Sequence, residues 1–375
     1  MKQMVIGYDA KRAFCNGTGL GNYSRGVIAG AVATGEVKAV IYTPYTEERF
    51  AHWHEGLSSV TLRTPQALWR CMPLVWRRMA LAQHVDADGV QLYHGLSHEL
   101  PVGLPADVRK VVTMHDLIVW RHPEWFSPVD VAIHRAKQRH ACRVADVVVA
   151  ISEQTKRDLI DIMHVPEEKI RVVYQSCDDI FWKWSAAGNQ SLVSNVREKY
   201  HLPKRYVISV GTIEERKNQL CAVKALEQLP GDIALVLVGR PRGDYGHRVA
   251  ALAGDRLRIL SGAAFADFPA LYAGAIASVY LSRFEGFGIP VLESLCCGTP
   301  VVTTNLSSLP EAGGEAALYA DPDDPTTVAA HLLRLASDEA FRRETIEKGR
   351  TQSLRFAPAK VALQMQGVYR SLLDK

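Results

Sequence analysis

The sequence is poor in the features that mark several large classes of protein. No run of apolar residues approaches the roughly 18 that a membrane-spanning helix needs. The first residues, MKQMVIGYDAK, enter an apolar stretch without the pattern of a signal peptide. Neither charge dominates, because 44 Lys and Arg stand against 40 Asp and Glu and the net charge of +4 is spread evenly over the chain. No nucleic-acid partner is therefore expected.

Cysteine patterns and metal-ligand patterns are equally sparse. The seven cysteines are odd in number and have no C-x-x-C spacing, which indicates reduced, mostly buried thiols in a cytoplasmic protein. Asp86 and Asp88 form a D-x-D pair, but they lie between a predicted helix and the start of a strand, the wrong strand end for a ligand. No other cluster has metal-ligand spacing, so no metal site is predicted.

What the sequence does contain is a regular alternation of short apolar runs and helical stretches. This alternation is typical of an α/β protein with doubly wound parallel sheets. The 375 residues are too many for one ordinary core, and a linker-like stretch rich in Ser, Ala, Gly and Asn lies near 182–194. We therefore predict two domains, residues 1–185 and 186–355, with a terminal helical segment at 356–375.

The most informative stretch runs from Tyr280 to Thr304 and reads YLSRFEGFGIPVLESLCCGTPVVTT. It predicts a buried strand, a glycine-punctuated loop, a helix with Pro290 in its first turn, and a second strand. The start of such a helix directs free N–H groups and a partial positive charge at whatever the loop holds. Glu285 in the loop and Glu293 in the helix frame this site. The plainer alternative is a glutamate near a helix N-terminus that bonds its own backbone, but the surrounding motif is more specific than the pair.

Three further motifs lie where a parallel sheet would bind a ligand. Gly17–Gly21 follows the first strand; it is not a dinucleotide fingerprint, because Asn22 replaces the last glycine of G-x-G-x-x-G. His115 ends the strand KVVTMH. Arg216 and Lys217 lie beside a predicted helix start, where they could hold an anion. The plainer alternatives are a flexible loop, a structural histidine and an exposed basic pair.

Together these motifs resemble the retaining glycosyltransferases of group 1, or family 4, which have the GT-B fold. The resemblance is carried by the E-x7-E passage, by V-T-M-H-D-L-I, and by G-T-x-E-x-R-K-N, where Thr212 replaces the arginine that commonly follows the glycine. It implies two Rossmann-like domains facing a cleft, with 356–375 crossing back to the first. It also implies a nucleotide-sugar donor, no other cofactor and no metal.

The resemblance implies roles for individual residues. His115 and Glu285 would be catalytic: His115 would orient the sugar and stabilise the transition state, and Glu285 would bond a sugar hydroxyl. Glu293 would bond the ribose hydroxyls, and Arg216 and Lys217 would stabilise the departing diphosphate. His94 is a weaker candidate for contact with the acceptor. The donor contacts implied are Gly19, Leu20, Arg216, Lys217, Phe287, Gly288, Ile289 and Glu293.

The expected reaction moves a hexose, with mannose favoured, to a hydroxyl of a glycan or lipid-linked glycan during synthesis of a cell-surface polysaccharide or glycoconjugate. GDP-mannose is favoured over a UDP-hexose as donor. Two alternatives are a sugar-nucleotide epimerase of the same fold and a non-catalytic, lipid-bound scaffold. A phosphorylase is disfavoured, because the sequence offers no convincing lysine site for pyridoxal phosphate.

One segment, residues 66–82 (QALWRCMPLVWRRMALA), is unusually rich in both tryptophan and arginine. A core helix whose arginines reach out to solvent explains it most simply. The alternative is an element that rests on anionic lipid, with Trp69 and Trp76 in the interface and Arg70, Arg77 and Arg78 beside the head groups. In that case the cytoplasmic protein would attach peripherally to the inner face of a membrane.

Overall fold

The computed structural model describes residues 3–184 and 189–374, apart from the side chains of Ala67, Leu68, Leu74 and Arg78. The chain divides into two compact units: unit 1 is Met1–Asp178 with Ala357–Lys375, and unit 2 is Asp179–Phe356. The predicted boundary at 185/186 lies outside the described residues.

The strands form two sheets in which every named pair is parallel. The strands of unit 1 are β1 Met4–Asp9, β2 Val37–Tyr42, β3 Val60–Arg63, β4 Leu92–Gly95, β5 Arg109–Met114, β6 Val147–Ala150 and β7 Ile170–Val172. The strands of unit 2 are β8 Arg205–Val210, β9 Ile233–Val238, β10 Leu257–Leu260, β11 Ser278–Tyr280, β12 Val301–Thr304 and β13 Ala317–Ala320.

Helices connect these strands and cover the sheets. They are α1 Lys11–Cys15, α2 Gly19–Ala33, α3 Pro73–Val75, α4 Leu81–Ala87, α5 Ile118–Arg121, α6 Pro128–Val144, α7 Glu153–Asp161, α8 Asp179–Trp182, α9 Gln190–Lys199, α10 Gln219–Leu226, α11 Gly243–Ala250, α12 Phe268–Ala273, α13 Ile289–Cys296, α14 Leu309–Gly313, α15 Pro325–Ser337, α16 Glu339–Ser353 and α17 Pro358–Leu373.

The strand order reverses once in each sheet. In unit 1 the order is β3-β2-β1-β4-β5-β6-β7, and in unit 2 it is β10-β9-β8-β11-β12-β13. The chain therefore winds in one direction from β1 or β8 and then in the other, which confirms the prediction of two doubly wound parallel sheets. In such sheets a ligand binds beyond the carboxyl ends of the strands, at the point of reversal. That point lies between β1 and β4 in unit 1 and between β8 and β11 in unit 2.

Helix α17 belongs to unit 1 although it ends the chain. The hydroxyl of Tyr369 lies 2.8 Å from Nδ1 of His94, and both side chains are fully buried. Arg370, the next residue of α17, pairs with Glu36. The last helix therefore completes the core beside β4 and α2.

Segment 66–82 is not one continuous helix. It consists of a 3-10 turn at Ala67–Cys71, the short helix α3, a π-turn at Trp76–Ala80, and the start of α4. Trp76 is only 1% exposed and packs in the hydrophobic core of unit 1. Arg77 also points inward and pairs with Asp9 and Glu99. Two of the residues proposed to meet a membrane are therefore interior, and the side chain of a third, Arg78, lies outside the described part.

Candidate active site

The loop between β11 and α13 forms the centre of the candidate site in unit 2. Pro290 lies in the first turn of α13, as predicted. An N–H at this position would have no acceptor within the helix, so proline loses no hydrogen bond there. Gly288 precedes the helix with a positive φ of 106°. A Cβ at this position would lie 2.8 Å from Cδ2 of Leu309, so glycine is required both by backbone conformation and by space. The loop can therefore turn sharply and present its backbone at the helix start.

Glu285 is the hub of a hydrogen-bonded cluster. Its Oε1 accepts from Nη1 of Arg216 at 2.8 Å, from Nζ of Lys217 at 2.5 Å and from the hydroxyl of Tyr280 at 2.9 Å. The Glu285 backbone is also held, because its N–H donates to Oγ of Ser307 and its carbonyl accepts from Ser308. The structure thus brings Arg216 and Lys217 into contact with Glu285, which lies about 70 residues further along the chain.

The electrostatics of this cluster depend on burial and on the two cations. Burial alone would raise the pKa of the Glu285 carboxyl, but the charges of Lys217 and Arg216 outweigh it and hold that pKa at about 2. Burial lowers the pKa of Lys217, an effect that the nearby Glu285 opposes and Arg216 reinforces. The carboxylate is therefore ionised throughout the physiological range. A phosphate at this position would meet the N–H donors of two cations, both of which Glu285 already holds in place.

Glu293 is fixed by a different partner. It lies within α13, is 6% exposed, and its Oε2 accepts a hydrogen bond from the hydroxyl of Tyr272 at 3.0 Å. Tyr272 is itself fully buried, so the position of this carboxylate is set by the core. The ring of Phe287 is also buried and packs edge-on against Phe356. Only the Phe287 backbone is then suited to the predicted contact with the donor.

His115 lies in unit 1, directly after β5, and is 5% exposed. Its Nε2 lies 2.8 Å from the carbonyl oxygen of Leu96; a carbonyl only accepts, so this nitrogen carries the proton. Burial, reinforced by nearby His98, lowers the pKa of His115 to about 3. The imidazole is therefore neutral at physiological pH and can hold a substrate in place but supplies no positive charge.

The glycine loop of unit 1 leads into α2, which begins at Gly19 with Leu20 in its first turn. A Cβ at Gly19 would meet no atom within 4 Å, whereas a Cβ at Gly21 would lie 1.8 Å from the carbonyl oxygen of Asn16. Gly21 is therefore needed for packing, while the backbone at Gly19 is open to close approach. His94, the weaker acceptor candidate, is fully buried with its ring nitrogens bonded to Tyr369 and Thr113; it is a structural histidine.

Sequence reasoning missed several members of these clusters. Tyr280 holds both Glu285 and Lys217 through its hydroxyl, and Tyr272 holds Glu293. Glu214 accepts from Nη2 of Arg216 at 2.7 Å. The position of Tyr280 as the last residue of β11 was a usable signal, because the carboxyl end of a strand is where ligands bind.

Within 3–184 and 189–374, no group of three His, Cys, Asp or Glu side chains is arranged to hold a metal ion. In the same part of the chain, no helix combines the length and the apolar character needed to cross a membrane.

Comparison with known families matches both units. Residues 18–179 match the model described as Glycosyltransferase Family 4, and residues 194–352 match Glycosyl transferases group 1. O-antigen chain mannosyltransferase B of Escherichia coli is 29% identical over 95% of this chain and 96% of the relative. O-antigen chain mannosyltransferase RfbU of Salmonella typhimurium is 25% identical over 82% of this chain and 84% of the relative.

Solved structures share the architecture. HepE of Anabaena in complex with UDP-glucose superposes with a TM-score of 0.75 at 20% identity, covering 98% of this chain and 99% of that one. Sucrose-phosphate synthase of Thermosynechococcus elongatus gives a TM-score of 0.77 at 20% identity, covering 99% and 100%. The chain therefore belongs to the group 1, family 4 glycosyltransferases and has their GT-B fold.

Proposed function

We propose that this protein transfers mannose from GDP-mannose to a hydroxyl of a glycan or lipid-linked glycan, with retention of anomeric configuration, during synthesis of a cell-surface polysaccharide. The observation that carries the proposal is the cluster of Arg216, Lys217 and Glu285 at the carboxyl ends of the unit 2 strands. The relatives named above as O-antigen chain mannosyltransferases support mannose as the sugar and a growing glycan as the acceptor.

The cluster suits a diphosphate leaving group. Arg216 and Lys217 supply fixed N–H donors in a largely buried site, where such donors stabilise developing negative charge most effectively. The bond between the anomeric carbon and the diphosphate oxygen breaks, and the acceptor oxygen bonds to the same face. The acceptor's proton passes to the departing diphosphate. Arg216, Lys217 and the free N–H groups at the start of α13 stabilise the charge that forms, so the step as proposed requires no metal.

The remaining predicted residues complete the donor site in this proposal. Glu293 bonds the ribose hydroxyls and Glu285 a hydroxyl of the transferred sugar. The backbone amides of Phe287, Gly288 and Ile289 meet the sugar and pyrophosphate at the start of α13, where free N–H groups favour an anion. From unit 1, Gly19 and Leu20 approach the phosphate and sugar, and neutral His115 orients the sugar.

A direct test compares donors. Purified protein is incubated with GDP-mannose, UDP-glucose or UDP-N-acetylglucosamine and a mannose-terminated oligosaccharide, and the anomeric configuration of any product is read by NMR. We expect transfer from GDP-mannose with the α-linkage of the donor kept, and thermal stabilisation by GDP greater than by UDP. Transfer from a UDP-sugar alone, or an inverted product, would contradict the proposal. Isomerisation of the donor without an acceptor would identify an epimerase, and absence of donor binding would favour the scaffold.

We further propose that segment 66–82 makes peripheral contact with a membrane, through different side chains from those first expected. Trp76 and Arg77 are interior, but Met72, Val75 and Met79 are 51%, 42% and 68% exposed, and Arg70 is exposed beside them. Exposed apolar side chains next to a basic one suit the interface of an anionic bilayer. The contact would keep the protein beside a lipid-linked acceptor.

Cosedimentation with liposomes tests this contact. Wild type should pellet with anionic liposomes at low salt, and replacing Met72 and Met79 together by Glu should reduce the bound fraction. Leu252 in unit 2 is 53% exposed, so Leu252→Glu is the matched control and should bind as wild type does. Wild type that stays in the supernatant, or equal losses in test and control variants, would rule the contact out.

A further inference from the structure

We propose that Tyr23 and Tyr369 are positioning residues for His115, and that they act through one buried chain of hydrogen bonds. This inference rests on the proposed function, in which neutral His115 orients the transferred sugar. Neither tyrosine is assigned a contact with a substrate. The chain of hydrogen bonds runs from the terminal helix α17, through the sheet of unit 1, to a side chain that packs on the imidazole of His115.

The chain of hydrogen bonds has four members. The hydroxyl of Tyr369 lies 2.8 Å from Nδ1 of His94, and Nε2 of the same ring lies 2.8 Å from Oγ1 of Thr113. Oγ1 of Thr113 lies 2.9 Å from the hydroxyl of Tyr23. Tyr369, His94 and Thr113 are fully buried, and Tyr23 is 4% exposed, so water does not compete for these bonds. The elements α17, β4, β5 and α2 each supply one member.

The bonds of this chain depend on one another. A neutral imidazole has one donor nitrogen and one acceptor nitrogen, and burial keeps His94 neutral by lowering its pKa to about 3. If Nε2 donates to Thr113, the hydroxyl of Tyr369 donates to Nδ1, and the hydrogen of Thr113 points to Tyr23. In the other tautomer all three bonds reverse. The state of the hydroxyl at Tyr369 therefore influences the bond between Thr113 and Tyr23.

The chain ends against the ring of His115. The ring centroids of Tyr23 and His115 are 4.6 Å apart, and the rings are nearly perpendicular, at 84°, which is an edge-to-face contact. The ring of His98 also contacts the imidazole, with the centroids 5.2 Å apart. Among the described residues, the His115 side chain makes one hydrogen bond, from Nε2 to the carbonyl of Leu96. One bond leaves the plane of the ring to be set by packing, and Tyr23 supplies part of that packing.

The orientation of the His115 ring matters because of its other nitrogen. Since Nε2 carries the proton, Nδ1 is the acceptor that can hold a sugar hydroxyl. Hydrogen bonds weaken steeply as their angle departs from the ideal, and small displacements of a group that positions a substrate cost large factors in rate. The contact between Tyr23 and His115 should therefore affect kcat.

A purely structural core would not need this polarity. Phenylalanine in place of either tyrosine would fill nearly the same volume, and each buried polar group has a cost if its partner is lost. Tyr42 is the matched comparison in unit 1. It is 1% exposed, and among the described residues its hydroxyl donates to Asp88 and to no member of the chain. Tyr42→Phe thus removes a buried hydroxyl without touching the route to His115.

The kinetic test removes one hydroxyl at a time from the full-length protein. In Tyr23→Phe and in Tyr369→Phe we expect kcat with GDP-mannose to fall by about threefold to tenfold, the factor that corresponds to one hydrogen bond. The KM for GDP-mannose should stay unchanged, and Tyr42→Phe should keep the wild-type kcat. If Tyr369→Phe does not fold, Tyr23→Phe tests the same chain from its other end. Wild-type kcat in both variants, or an equal loss in Tyr42→Phe, would overturn the inference.

A double-mutant cycle distinguishes positioning from a structural role. In the His115→Ala background, Tyr23→Phe and Tyr369→Phe should cause no further loss of kcat, because no imidazole is left to position. A structural role predicts the same factor in both backgrounds. Additive losses would therefore show that the tyrosines act on the fold and not on His115.

A readout without turnover uses the full chain labelled with ¹⁵N at histidine. Long-range ¹H–¹⁵N spectra report the tautomer of each imidazole, and the His115 signals are assigned by their absence in His115→Ala. In Tyr369→Phe we expect the His115 signals to shift, although no described contact joins Tyr369 to that ring. In Tyr42→Phe they should stay at their wild-type positions.

The two readouts separate this inference from the proposed function. If the His115 signals shift in Tyr369→Phe but wild type does not turn over GDP-mannose, the proposed function fails and the positioning chain stands. If wild type turns over GDP-mannose while the tyrosine variants keep both the wild-type kcat and the wild-type His115 signals, the positioning chain fails and the proposed function stands.

Discussion

The two units place a charged cluster at the same point of similar sheets, yet the two clusters are connected differently. In unit 2 two cations, Arg216 and Lys217, converge on one carboxylate oxygen of Glu285. In unit 1 a single guanidinium, that of Arg77, bridges two carboxylates. Glu214 also pairs with Arg216 in unit 2, and Lys137 with Glu99 in unit 1, so the difference lies in which group stands at the centre of each cluster. The centre of the unit 2 cluster is a carboxylate held by two cations, whereas the centre of the unit 1 cluster is a guanidinium held by two carboxylates.

The largest expected effect comes from breaking the cluster of unit 1. Arg77→Ala leaves buried Asp9 without its arginine and Glu99 with Lys137 alone, and we expect the free energy of unfolding to fall by about 3–5 kcal/mol. Urea unfolding measures this. Arg63→Ala, which removes a 45%-exposed arginine from its 2.6 Å pair with Asp88, is the control and should cost at most about 1 kcal/mol. Equal losses in the two variants would mean that burial does not distinguish these pairs.

This contrast also explains why the members of one cluster could be predicted from the sequence and those of the other could not. The members of the unit 2 cluster lie in two short motifs, so Arg216, Lys217 and Glu285 could be predicted individually from local patterns. In the unit 1 cluster, Arg77 is 68 residues from Asp9 and 22 from Glu99. No local pattern connects the three, and only the packing of segment 66–82 against β1 and β4 brings them together.

In segment 66–82, helical spacing assigns Arg77 to the wrong face of the segment. A uniform helix of 3.6 residues per turn would put Arg70 and Arg77 on the same side. The segment instead passes through a 3-10 turn, a short α-helix and a π-turn, each with its own rotation per residue. The phase is lost between the two arginines, so Arg70 is exposed while Arg77 points into the interior.

The next largest effect should come from removing one cation of unit 2. Lys217→Met deletes a donor from the proposed diphosphate site, and the loss of one such fixed donor lowers kcat by about 10²–10³. Stability should change less than in Arg77→Ala, because Glu285 keeps Arg216 and Tyr280. Steady-state kinetics with GDP-mannose measure the effect. Lys224→Met, an exposed change on α10, should retain wild-type kcat, and a similar kcat for Lys217→Met would remove that lysine from the reaction.

A smaller effect is expected at Glu293, which lies outside the charged cluster. Glu293→Ala should weaken GDP binding by about 1–3 kcal/mol, the range for losing a hydrogen bond to a charged acceptor. Isothermal titration with GDP measures it. Tyr272→Phe removes only the hydroxyl that holds this carboxylate and should weaken binding less. Unchanged GDP affinity in Glu293→Ala would separate this residue from the donor.

The last comparison concerns pH. Burial lowers the pKa of His94 and His115 to about 3, and of His98 to about 4, all in unit 1. The unfolded chain protonates these histidines near pH 6.5 while the folded unit keeps them neutral. Each therefore contributes stability that is fully present above pH 6.5 and is lost, by about 1.4 kcal/mol per pH unit, as the pH falls below it.

Glu285 in unit 2 behaves differently, because its pKa in the folded state, about 2, lies below its ordinary value of 4.5. Its stabilising contribution is present above pH 4.5 and is lost only as the pH falls from there towards 2. Hydrogen exchange by mass spectrometry at a series of pH values follows the two sheets separately. Peptides of β4 and β5 should lose protection as the pH drops from about 6.5 to 5, while those of β11 and β12 keep theirs. His94→Gln should make the loss in unit 1 less steep by about a third, since one of three titrating groups is gone. Simultaneous loss of protection in both sheets, or an unchanged slope in His94→Gln, would show that these histidines do not set the acid sensitivity of unit 1.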